Sequence, residues 1–254
     1  MLNTVRIAEL RNQFERKGFI HVQGFLSPAE LSEAMQRVER YKREIAPMLE
    51  SHRVLYDTDG DNRSVKHLVE LDKADPYFAA FLNGKPRRLA SGMLGENALP
   101  QNVEYFDKGP FIGKPTPAHQ DGFYFCLKPN HAITLWIALE DCDEENGCMS
   151  YVPGSHKHGI IEHHASGVVG FSQELNYAPS PGEKLFMARG NAGDCFAHHS
   201  MTIHLAGPNK SDRHRPSLGC VYYGERCERD EEAWARYLAN VELQRKLHVV
   251  GATR

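Results

Sequence analysis

The sequence predicts a mainly β fold with flanking helices, and three stretches of the chain lead to this prediction. Between about residues 100 and 224, short runs of β-branched and aromatic residues alternate with Gly, Pro and Asn turns, as in an all-β core. Helical periodicity precedes this core at about residues 4–95 and returns after it at about residues 230–247, through Trp234, Leu238, Val241 and Leu247. A chain of 254 residues without internal repeats or a linker fits one large domain. We therefore expect residues 1–254 to form a single domain.

The N-terminal region begins with a predicted helix followed by a short strand. Ile7, Leu10 and Phe14 recur at helical spacing, and Gly18 ends the segment. Phe19 to Phe25 then has the composition of a strand. A helix with one apolar face needs a partner surface, so we expect it to pack against the core.

The second helix has a strong start signal. Ser27-Pro28-Ala29-Glu30 is a capping box with proline at the first helical position. An apolar stripe follows at helical spacing and consists of Leu31, Met35, Val38, Tyr41 and Ile45. A further helical region is predicted from about Pro76 to Leu94, interrupted at Asn83-Gly84-Lys85-Pro86.

The segment between these helical regions is polar and irregular. Residues 50–70 contain Asp57, Asp59 and Asp61 around Gly60, but they lack the further ligands and closing glutamate of a calcium loop. We predict a solvated loop that is able to cover a pocket.

Composition excludes several classes of function. The hydrophobic fraction of 41% and charged fraction of 25% are those of an ordinary soluble globule. A net charge of -3 provides no basic field, so nucleic acid is not an expected partner. The charged N-terminus does not suit a signal peptide and no run suits a bilayer span, so we expect a cytoplasmic protein without a membrane partner. The six cysteines lack zinc spacing and are predicted to be free thiols; nothing indicates the oligomeric state.

A His-x-Asp motif lies at the predicted start of a core strand. Pro115-Thr116-Pro117 breaks the chain just before His119. Residues two apart on a strand face the same side, so His119 and Asp121 could both reach one metal ion while Gln120 points away. In a chain with 14 histidines this motif is a weak signal by itself.

The second histidine ligand must come from the histidine-rich segment downstream. The candidates there are His198, His199, His204 and His214. We favour His204, which lies beside the turn Gly207-Pro208-Asn209 on a strand predicted to pair with residues 216–223. His198 and His199 are adjacent, so at most one of them faces inward, where it supports a ligand or belongs to the core.

Arg215 completes a set of residues suited to oxygen chemistry. Two histidines and one carboxylate on one face of an octahedral Fe(II) ion leave three positions open for a chelating co-substrate and O2. The guanidinium fork suits the distal carboxylate of 2-oxoglutarate. On the predicted strand Arg215, Ser217, Gly219 and Val221 share one face, so Ser217 could add a hydroxyl donor. A surface ion pair with Asp212 is the alternative role for Arg215.

Residues 133–139 predict a core strand with two different faces. Its apolar face suits contact with helices and consists of Ile133, Leu135, Ile137 and Leu139. Its mixed face suits a barrel interior around a ligand and consists of Thr134, Trp136 and Ala138.

In this order, the motifs resemble those of the phytanoyl-CoA dioxygenase family of Fe(II)- and 2-oxoglutarate-dependent oxygenases. The matching text is GFIHVQGFLSPAEL, PAHQDGFY, TLWIALEDCDEENGCMSYVPGSHKHG and GDCFAHHSMTIH, with Gly207-Pro208-Asn209 and Arg215 after it. The resemblance extends from about Gly18 to Tyr223 and implies a double-stranded β-helix core, a jelly-roll of the cupin-like kind, with helices outside it.

The resemblance also implies roles for individual residues. It assigns Fe(II) to His119, Asp121 and His204 as metal ligands and catalytic residues, and the distal carboxylate of 2-oxoglutarate to Arg215. Halogenating relatives have a small residue in place of the aspartate, so halogenation is not expected. Further candidate neighbours of the co-substrate are Thr134, Trp136 and Asn102, with Gln101 as the alternative to Asn102.

The implied function is hydroxylation of a small-molecule metabolite or natural-product intermediate by O2, with release of succinate and CO2. Three alternatives stay open: desaturation, cyclisation or epimerisation at the same centre, a non-catalytic 2-oxoglutarate or iron sensor, and a cupin-like metal enzyme that needs no oxo acid. The expected substrate contacts are Gln120, Phe123, Tyr124 and Phe125. Candidates to meet an anionic group are Arg53, Arg63, Lys66 and His67.

Overall fold

The computed structural model contains the predicted succession of helices, β core and closing helix. It describes residues 4–57, 64–168, 171–175 and 184–251, and their side chains except at 167, 168, 171, 172 and 243–251. The α-helices are α1 (Thr4–Lys17), α2 (Pro28–Glu44), α3 (Leu71–Ala74), α4 (Pro76–Asn83), α5 (Lys85–Leu94), α6 (Asp121–Phe125) and α7 (Glu231–Gly251). The strands are β1 (Phe19–Val22), β2 (Val54–Tyr56), β3 (Val65–Leu68), β4 (Ala98–Phe106), β5 (Thr116–His119), β6 (Leu127–Lys128), β7 (Ala132–Ala138), β8 (Met149–Tyr151), β9 (His164–Val168), β10 (Phe171–Glu174), β11 (Phe186–Met187), β12 (Cys195–His199), β13 (His204–Ala206), β14 (Ser217–Gly224) and β15 (Glu228–Arg229).

Two antiparallel sheets make up most of the β core. The larger sheet has the strand order β1-β12-β7-β14-β4-β3-β2, and the smaller has the order β11-β8-β13-β5. The pairs β9–β10 and β6–β15 form short separate ladders. A cavity between the two main sheets receives side chains from both of them. This is the predicted double-stranded β-helix. That residues 1–254 form one domain stays a prediction.

The helices cover the outer face of the larger sheet. The main apolar core lies there and includes Phe14 of α1, Val38 of α2 and Leu89 of α5. The odd-numbered residues of β7 join this core, whereas Trp136 and Ala138 join a second cluster on the opposite face of the sheet. The predicted separation of the two faces of this strand is therefore confirmed. Among the described residues, none of the helices combines the length and apolar character that crossing a membrane requires.

The predicted starts and ends of the first two helices are confirmed. Glu30 N donates to Ser27 Oγ at 3.3 Å, and Ser27 N donates to Glu30 Oε2 at 2.8 Å, which completes the capping box. Helix α1 ends at Lys17, before Gly18 with φ of +83°. The strand that follows is shorter than predicted because Gly24, with φ of +57°, turns the chain after β1.

The interpretation of residues 50–70 as a solvated loop is wrong where the structure describes them. Strands β2 and β3 pair antiparallel, and β3 pairs with β4, so the segment extends the larger sheet. Val65 and Leu68 are buried, while Lys66 and His67 line the cavity. The polarity of this segment therefore reflects a cavity wall as well as solvent contact. Asp59, Gly60, Asp61 and Arg63 lie outside the described residues.

The closing helix is longer than predicted, and its predicted stripe is correct at the half-buried Trp234 and Val241 but not at Leu238. Helix α7 continues to Gly251. Leu238, expected in its apolar stripe, is 47% exposed. Tyr237 contacts the α6 region instead, with ring centroids 6.5 Å from Phe123 and 5.9 Å from Tyr124. The predicted stripe position Leu247 has a side chain outside those described.

The cysteines match the prediction of free thiols. All six are unpaired and five of them are buried. Burial raises the pKa of Cys142 to about 11 and that of Cys148 to about 12, so both stay protonated at neutral pH.

Gly18 provides a test of how the end of α1 packs on the β core. It has a left-handed conformation and also lies close to the side chains of His156 and Thr202. A Cβ at Gly18 would lie 2.5 Å from both His156 Nδ1 and Thr202 Oγ1. Gly24 also has positive φ, but a Cβ there would have nothing within 4 Å of it. Left-handed strain costs about 1–2 kcal/mol in either case, and overpacking adds about 1–3 kcal/mol at Gly18 alone.

We expect Gly18→Ala to lower the free energy of unfolding by roughly 2–5 kcal/mol, and Gly24→Ala by about 1–2 kcal/mol. Urea denaturation of the two variants measures the difference. Equal losses would mean that the contact with the Thr202 segment, which leads to His204, does not resist a side chain.

Candidate metal centre and co-substrate pocket

Two histidines and an aspartate converge at the end of the smaller sheet. His119 is the last residue of β5, and His204, the first of β13, lies directly opposite it in the ladder. Asp121 Oδ1 is 3.5 Å from Nε2 of each histidine. One ligand atom from each residue lies within 4.8 Å of the others, so the three could hold one metal ion.

Two expectations about how these residues come together are wrong. Asp121 does not share a strand face with His119, because β5 ends at His119 and Asp121 begins α6. The turn into this helix, rather than the pleat of a strand, returns the carboxylate to the histidine. His204 does not reach the site by pairing with residues 216–223, since β13 pairs with β5 and β8.

The two histidines present the correct nitrogen to a metal. His119 Nδ1 is 2.8 Å from Pro117 O, and His204 Nδ1 is 3.0 Å from Thr202 O. A carbonyl only accepts, so Nδ1 carries the hydrogen in each ring and Nε2 keeps its lone pair. Burial lowers the pKa of His204 well below its usual value, so this ring is neutral at neutral pH.

The Asp121 carboxylate has one occupied and one available oxygen. Oδ2 accepts hydrogen bonds from Thr134 Oγ1 at 2.6 Å and from His198 Nε2 at 3.0 Å, while Oδ1 faces the two other histidines. Burial by itself raises the pKa of Asp121, but His204, His119 and His198 outweigh it and hold the pKa well below its usual range. Asp121 is therefore ionised. Two imidazoles and one carboxylate are the donor set of a non-haem Fe(II) site, so the residues fit this metal.

Arg215 is a buried cation with unused donors. It is 4% exposed, and its Nε and Nη1 have no hydrogen-bond partner among the described residues. Its guanidinium carbon lies 5.1 Å from the centre of the Trp136 ring. The alternative of a surface ion pair with Asp212 is therefore wrong. A buried guanidinium with unmet donors is costly unless an anion binds it, so this position fits the distal carboxylate of 2-oxoglutarate.

The ligand set and the arginine share one cavity of about 280 Å³. Of the predicted co-substrate neighbours, Thr134 and Trp136 both line it. Thr134 is hydrogen-bonded to the metal carboxylate, and Trp136 lies against Arg215. Their direct contact with the co-substrate stays a prediction.

Ser217 and Asn102 do not belong to the lining of this cavity. Ser217 Oγ donates to Phe106 O at 3.4 Å, and Asn102 Nδ2 donates to Glu104 Oε1 at 3.0 Å. Glu104 and Phe106 share a strand face with Asn102 and do line the cavity. The alternative residue, Gln101, lies at a β-bulge and donates to a carbonyl of its own strand. This geometry favours Asn102 over Gln101.

Two of the four expected substrate contacts are wrong. Gln120 is fully buried away from the cavity, donating to Gly159 O and Met201 O at 2.9 and 2.7 Å. Phe123 stacks against His163, with ring centroids 4.2 Å apart, and is outside the cavity lining. Tyr124 and Phe125, the other two, line the cavity as expected.

The β3–β4 wall contributes Glu104 and Phe106 to the cavity, two residues that sequence reasoning did not assign to the site. His67 Nε2 is 3.1 Å from Glu104 Oε2, and the His67 ring stacks on Phe106 with centroids 4.3 Å apart. The alternation of residues 102–106, with Glu104 and Phe106 on one face, was the signal that could have found them. Lys66 and His67, predicted to meet an anion, do line the cavity. Arg53 does not, because it donates to the Glu70 carbonyl at 2.7 Å.

Lys108 holds two loops together at the same cavity. Its Nζ donates to Lys114 O and to Gly207 O, both at 2.7 Å. Burial, followed by the positive charge of Arg215, lowers the pKa of Lys108 to about 6. Its role is to fix the walls around the arginine.

A double-stranded β-helix with this ligand set and a buried arginine defines the Fe(II)- and 2-oxoglutarate-dependent oxygenases. The chain belongs to the phytanoyl-CoA dioxygenase family, whose sequence profile matches residues 14–217. It is thus a dioxygenase that uses iron and 2-oxoglutarate, in agreement with the resemblance seen in its motifs.

Two relatives are both named as dioxygenases, but their names give different substrates. The chain is 26% identical over 242 residues to the peroxisomal phytanoyl-CoA dioxygenase of Mus musculus, covering 89% of this chain and 71% of that protein. It is 27% identical over 244 residues to a probable alpha-ketoglutarate-dependent hypophosphite dioxygenase of Stutzerimonas stutzeri, covering 86% and 83%.

Solved structures agree with the fold. The non-haem alpha-ketoglutarate-dependent epimerase SnoN from nogalamycin biosynthesis superposes with a TM-score of 0.69 at 25% identity, covering 89% of this chain and 85% of that one. The carbocyclase SnoK from the same biosynthesis has a TM-score of 0.72 at 24% identity, covering 90% and 87%.

Proposed function

We propose that the protein hydroxylates a C–H bond of a small-molecule metabolite or natural-product intermediate and converts 2-oxoglutarate to succinate and CO2. One observation carries the proposal: a single cavity contains a convergent two-histidine, one-carboxylate set and a buried guanidinium with unused donors. A cupin-like enzyme without an oxo acid has no use for that arginine. A 2-oxoglutarate or iron sensor would differ by releasing no succinate. A 2-oxoglutarate-dependent oxygenase requires an anchor of this kind.

In this proposal the three ligands define one face of the metal. His119 and His204 would hold Fe(II) through Nε2, and Asp121 would hold it through Oδ1. When bound, Fe(II) with 2-oxoglutarate and O2 supplies the oxidising power that replaces a substrate C–H bond with C–OH. The protein itself contributes position, because a small displacement of the reacting carbon changes the outcome of the reaction.

Arg215 would bind the distal carboxylate of 2-oxoglutarate and so set the direction of the co-substrate. Burial among protein atoms strengthens this charge pairing relative to water. Trp136 limits the movement of the guanidinium from one side. The low exposure of both Arg215 and His204 keeps water away from the reacting atoms.

The character of the cavity supports a small and partly apolar substrate. Its volume of about 280 Å³ is at the lower end of ligand pockets. Apolar and aromatic walls come from Phe106, Tyr124, Phe125, Leu205 and Val221. The His67–Glu104 pair supplies polar groups able to orient a substrate.

Six free cysteines suit the reducing cytoplasm that we infer for the protein.

Epimerisation is the second candidate reaction. It is favoured by the likeness to SnoN, a structure of an epimerase that reaches 25% identity over most of both chains. The same ligand set serves either reaction, and the position of the substrate carbon decides between them.

Incubation of the purified protein with Fe(II), 2-oxoglutarate, 18O2 and a metabolite extract tests the proposal by mass spectrometry. Hydroxylation predicts labelled succinate and a new metabolite carrying one labelled oxygen. A product of unchanged mass but altered chromatographic retention would support epimerisation instead. Succinate no higher than in a control without iron, across extracts of several growth conditions, would contradict an oxygenase function.

A further inference from the structure

We propose that His198, backed by Tyr151, is a positioning residue that keeps Asp121 Oδ2 away from the metal, so that Asp121 binds through Oδ1 alone. The inference rests on the proposed function, because it assumes that His119, Asp121 and His204 hold the iron. It adds a role for two residues outside the ligand set of His119, Asp121 and His204.

The hydrogen-bond chain has a defined direction. His198 Nε2 lies 3.0 Å from Asp121 Oδ2, and His198 Nδ1 lies 3.2 Å from the Tyr151 hydroxyl. The ionised carboxylate of Asp121 only accepts, so Nε2 must carry the hydrogen. An imidazole with its hydrogen on Nε2 accepts at Nδ1, so the Tyr151 O–H donates to it.

Together with Thr134, this chain occupies Oδ2 from two sides. Thr134 Oγ1 donates to Oδ2 at 2.6 Å. A carboxylate that turned to bind a metal through both oxygens would break both hydrogen bonds. Its second oxygen would also take one more of the six octahedral positions, so that the protein filled four of them. Two positions would then be left, whereas 2-oxoglutarate and O2 together need three. The clamp on Oδ2 therefore preserves the open positions.

His198 is not arranged as a metal ligand itself. Its ring centroid lies 4.4 Å from that of His204, but its Nε2 hydrogen is directed at Asp121. It is 1% exposed on β12, and Tyr151, fully buried on β8, fixes its second nitrogen. Both ring nitrogens of His198 are thus held, one by Tyr151 and the other by the carboxylate that would bind the metal.

His199 provides a matched control on the same strand. It is also buried, but it faces the opposite side of β12, where its ring lies 5.9 Å from Phe14. Its Nδ1 accepts a hydrogen bond from Met201 N at 3.1 Å. Burial lowers the pKa of His199 to about 3, so it is neutral like an ordinary core residue. Replacing it disturbs the strand without touching Asp121.

The test measures metal binding by the full-length, metal-free protein, without 2-oxoglutarate or substrate. Isothermal titration with Co(II) alone gives the dissociation constant, and visible absorption of the Co(II) complex reports the coordination number. The variants are His198→Phe, His198→Gln, Tyr151→Phe and the control His199→Phe. Thermal unfolding of each metal-free variant separates loss of fold from loss of the clamp.

We expect His198→Phe to weaken Co(II) binding about 10–100-fold and to change the absorption spectrum, as removal of a residue that orients a ligand does. Tyr151→Phe, which removes a single hydroxyl, should weaken binding in the same direction by a smaller factor. His198→Gln keeps a donor for Oδ2 and should restore part of the affinity. The His199→Phe control should retain the wild-type affinity and spectrum.

Wild-type affinity and spectrum in both His198→Phe and Tyr151→Phe would overturn the inference while leaving the proposed function intact. Equal weakening by His199→Phe would also overturn it, because the effect would then come from the strand as a whole. A wild-type protein that binds neither Co(II) nor Fe(II) would overturn the proposed function and the inference with it.

Discussion

His204→Ala is expected to reduce iron- and 2-oxoglutarate-dependent turnover by more than about 100-fold. Replacing a residue that only orients a metal ligand costs up to about 100-fold in activity, and loss of the ligand itself should cost more. The variant leaves His119 and Asp121 as ligands, and two protein ligands do not define a face of the metal. Loss of the Nε2 donor should also weaken metal binding itself. Succinate release and Co(II) titration measure these two effects separately.

His52→Ala is a suitable control for the loss of a histidine. The His52 side chain is 71% exposed and lies in a short turn before β2, far from the described ligand set in the chain. We expect it to retain full turnover. If His204→Ala remained folded and still bound Co(II) as tightly as the wild type, His204 would not be a ligand and the site assignment would fail.

Arg215→Met is expected to raise the 2-oxoglutarate concentration needed for half-maximal rate by at least about 30-fold. Truncating one partner of a buried charge pair costs about 2–5 kcal/mol, and the lower figure corresponds to roughly that factor. The rate at saturating 2-oxoglutarate should fall much less, because the metal ligands are untouched. Initial rates against 2-oxoglutarate at fixed Fe(II) measure both quantities.

Arg215→Met should also change how the melting temperature responds to 2-oxoglutarate. The buried guanidinium leaves Nε and Nη1 unsatisfied, so methionine of similar length removes a desolvated charge. We expect the melting temperature of the 2-oxoglutarate-free protein to stay level or rise, and its increase on adding 2-oxoglutarate to disappear. This pattern separates a binding role from a structural one.

Arg213→Met, two residues away, is the matched control for Arg215. Arg213 is 41% exposed and donates to Asp143 Oδ2 at 2.7 Å on the surface. Exposed ion pairs contribute about 0–1 kcal/mol, so little change is expected in stability or in the 2-oxoglutarate requirement. An Arg215→Met enzyme with an unchanged requirement would assign the co-substrate carboxylate to another basic side chain of the cavity wall, such as Lys66.

Short-range sequence signals correctly predicted helix ends and strand faces in this protein. The capping box at Ser27 and Glu30, the end of α1 at Gly18 and the two faces of β7 all depend on residues close together in the chain. Short-range periodicity and capping carry such features, so a single sequence is enough to find them. The expectation that the polar segment at 50–70 is a loop was wrong because β2 and β3 extend the larger sheet there, whereas Lys66 and His67 line the cavity as expected.

Some residues of the candidate site could likewise be predicted from local spacing, and others could be placed only by the fold. His119 and Asp121 stand out because a short spacing keeps them close whatever the surrounding fold, although the turn into α6 and not a strand brings them together. Selecting His204 among several downstream histidines rested on the turn after it and on an expected pairing with residues 216–223. The ladder of β13 against β5 supplies the actual reason. Sequence reasoning left open whether His198 or His199 faces inward.

The sequence by itself therefore determined the class of fold, the types of metal ligand and the need for an arginine, because residue chemistry and local spacing suffice for these. Only the tertiary structure decided that His198 and Thr134 hold one oxygen of Asp121 and that β3 and β4 wall the cavity. It also decided that Nε and Nη1 of the buried Arg215 have no hydrogen-bond partner among the described residues. These features depend on strand register and on contacts between distant segments, and a shift of one residue in register would reverse which side chains face the cavity.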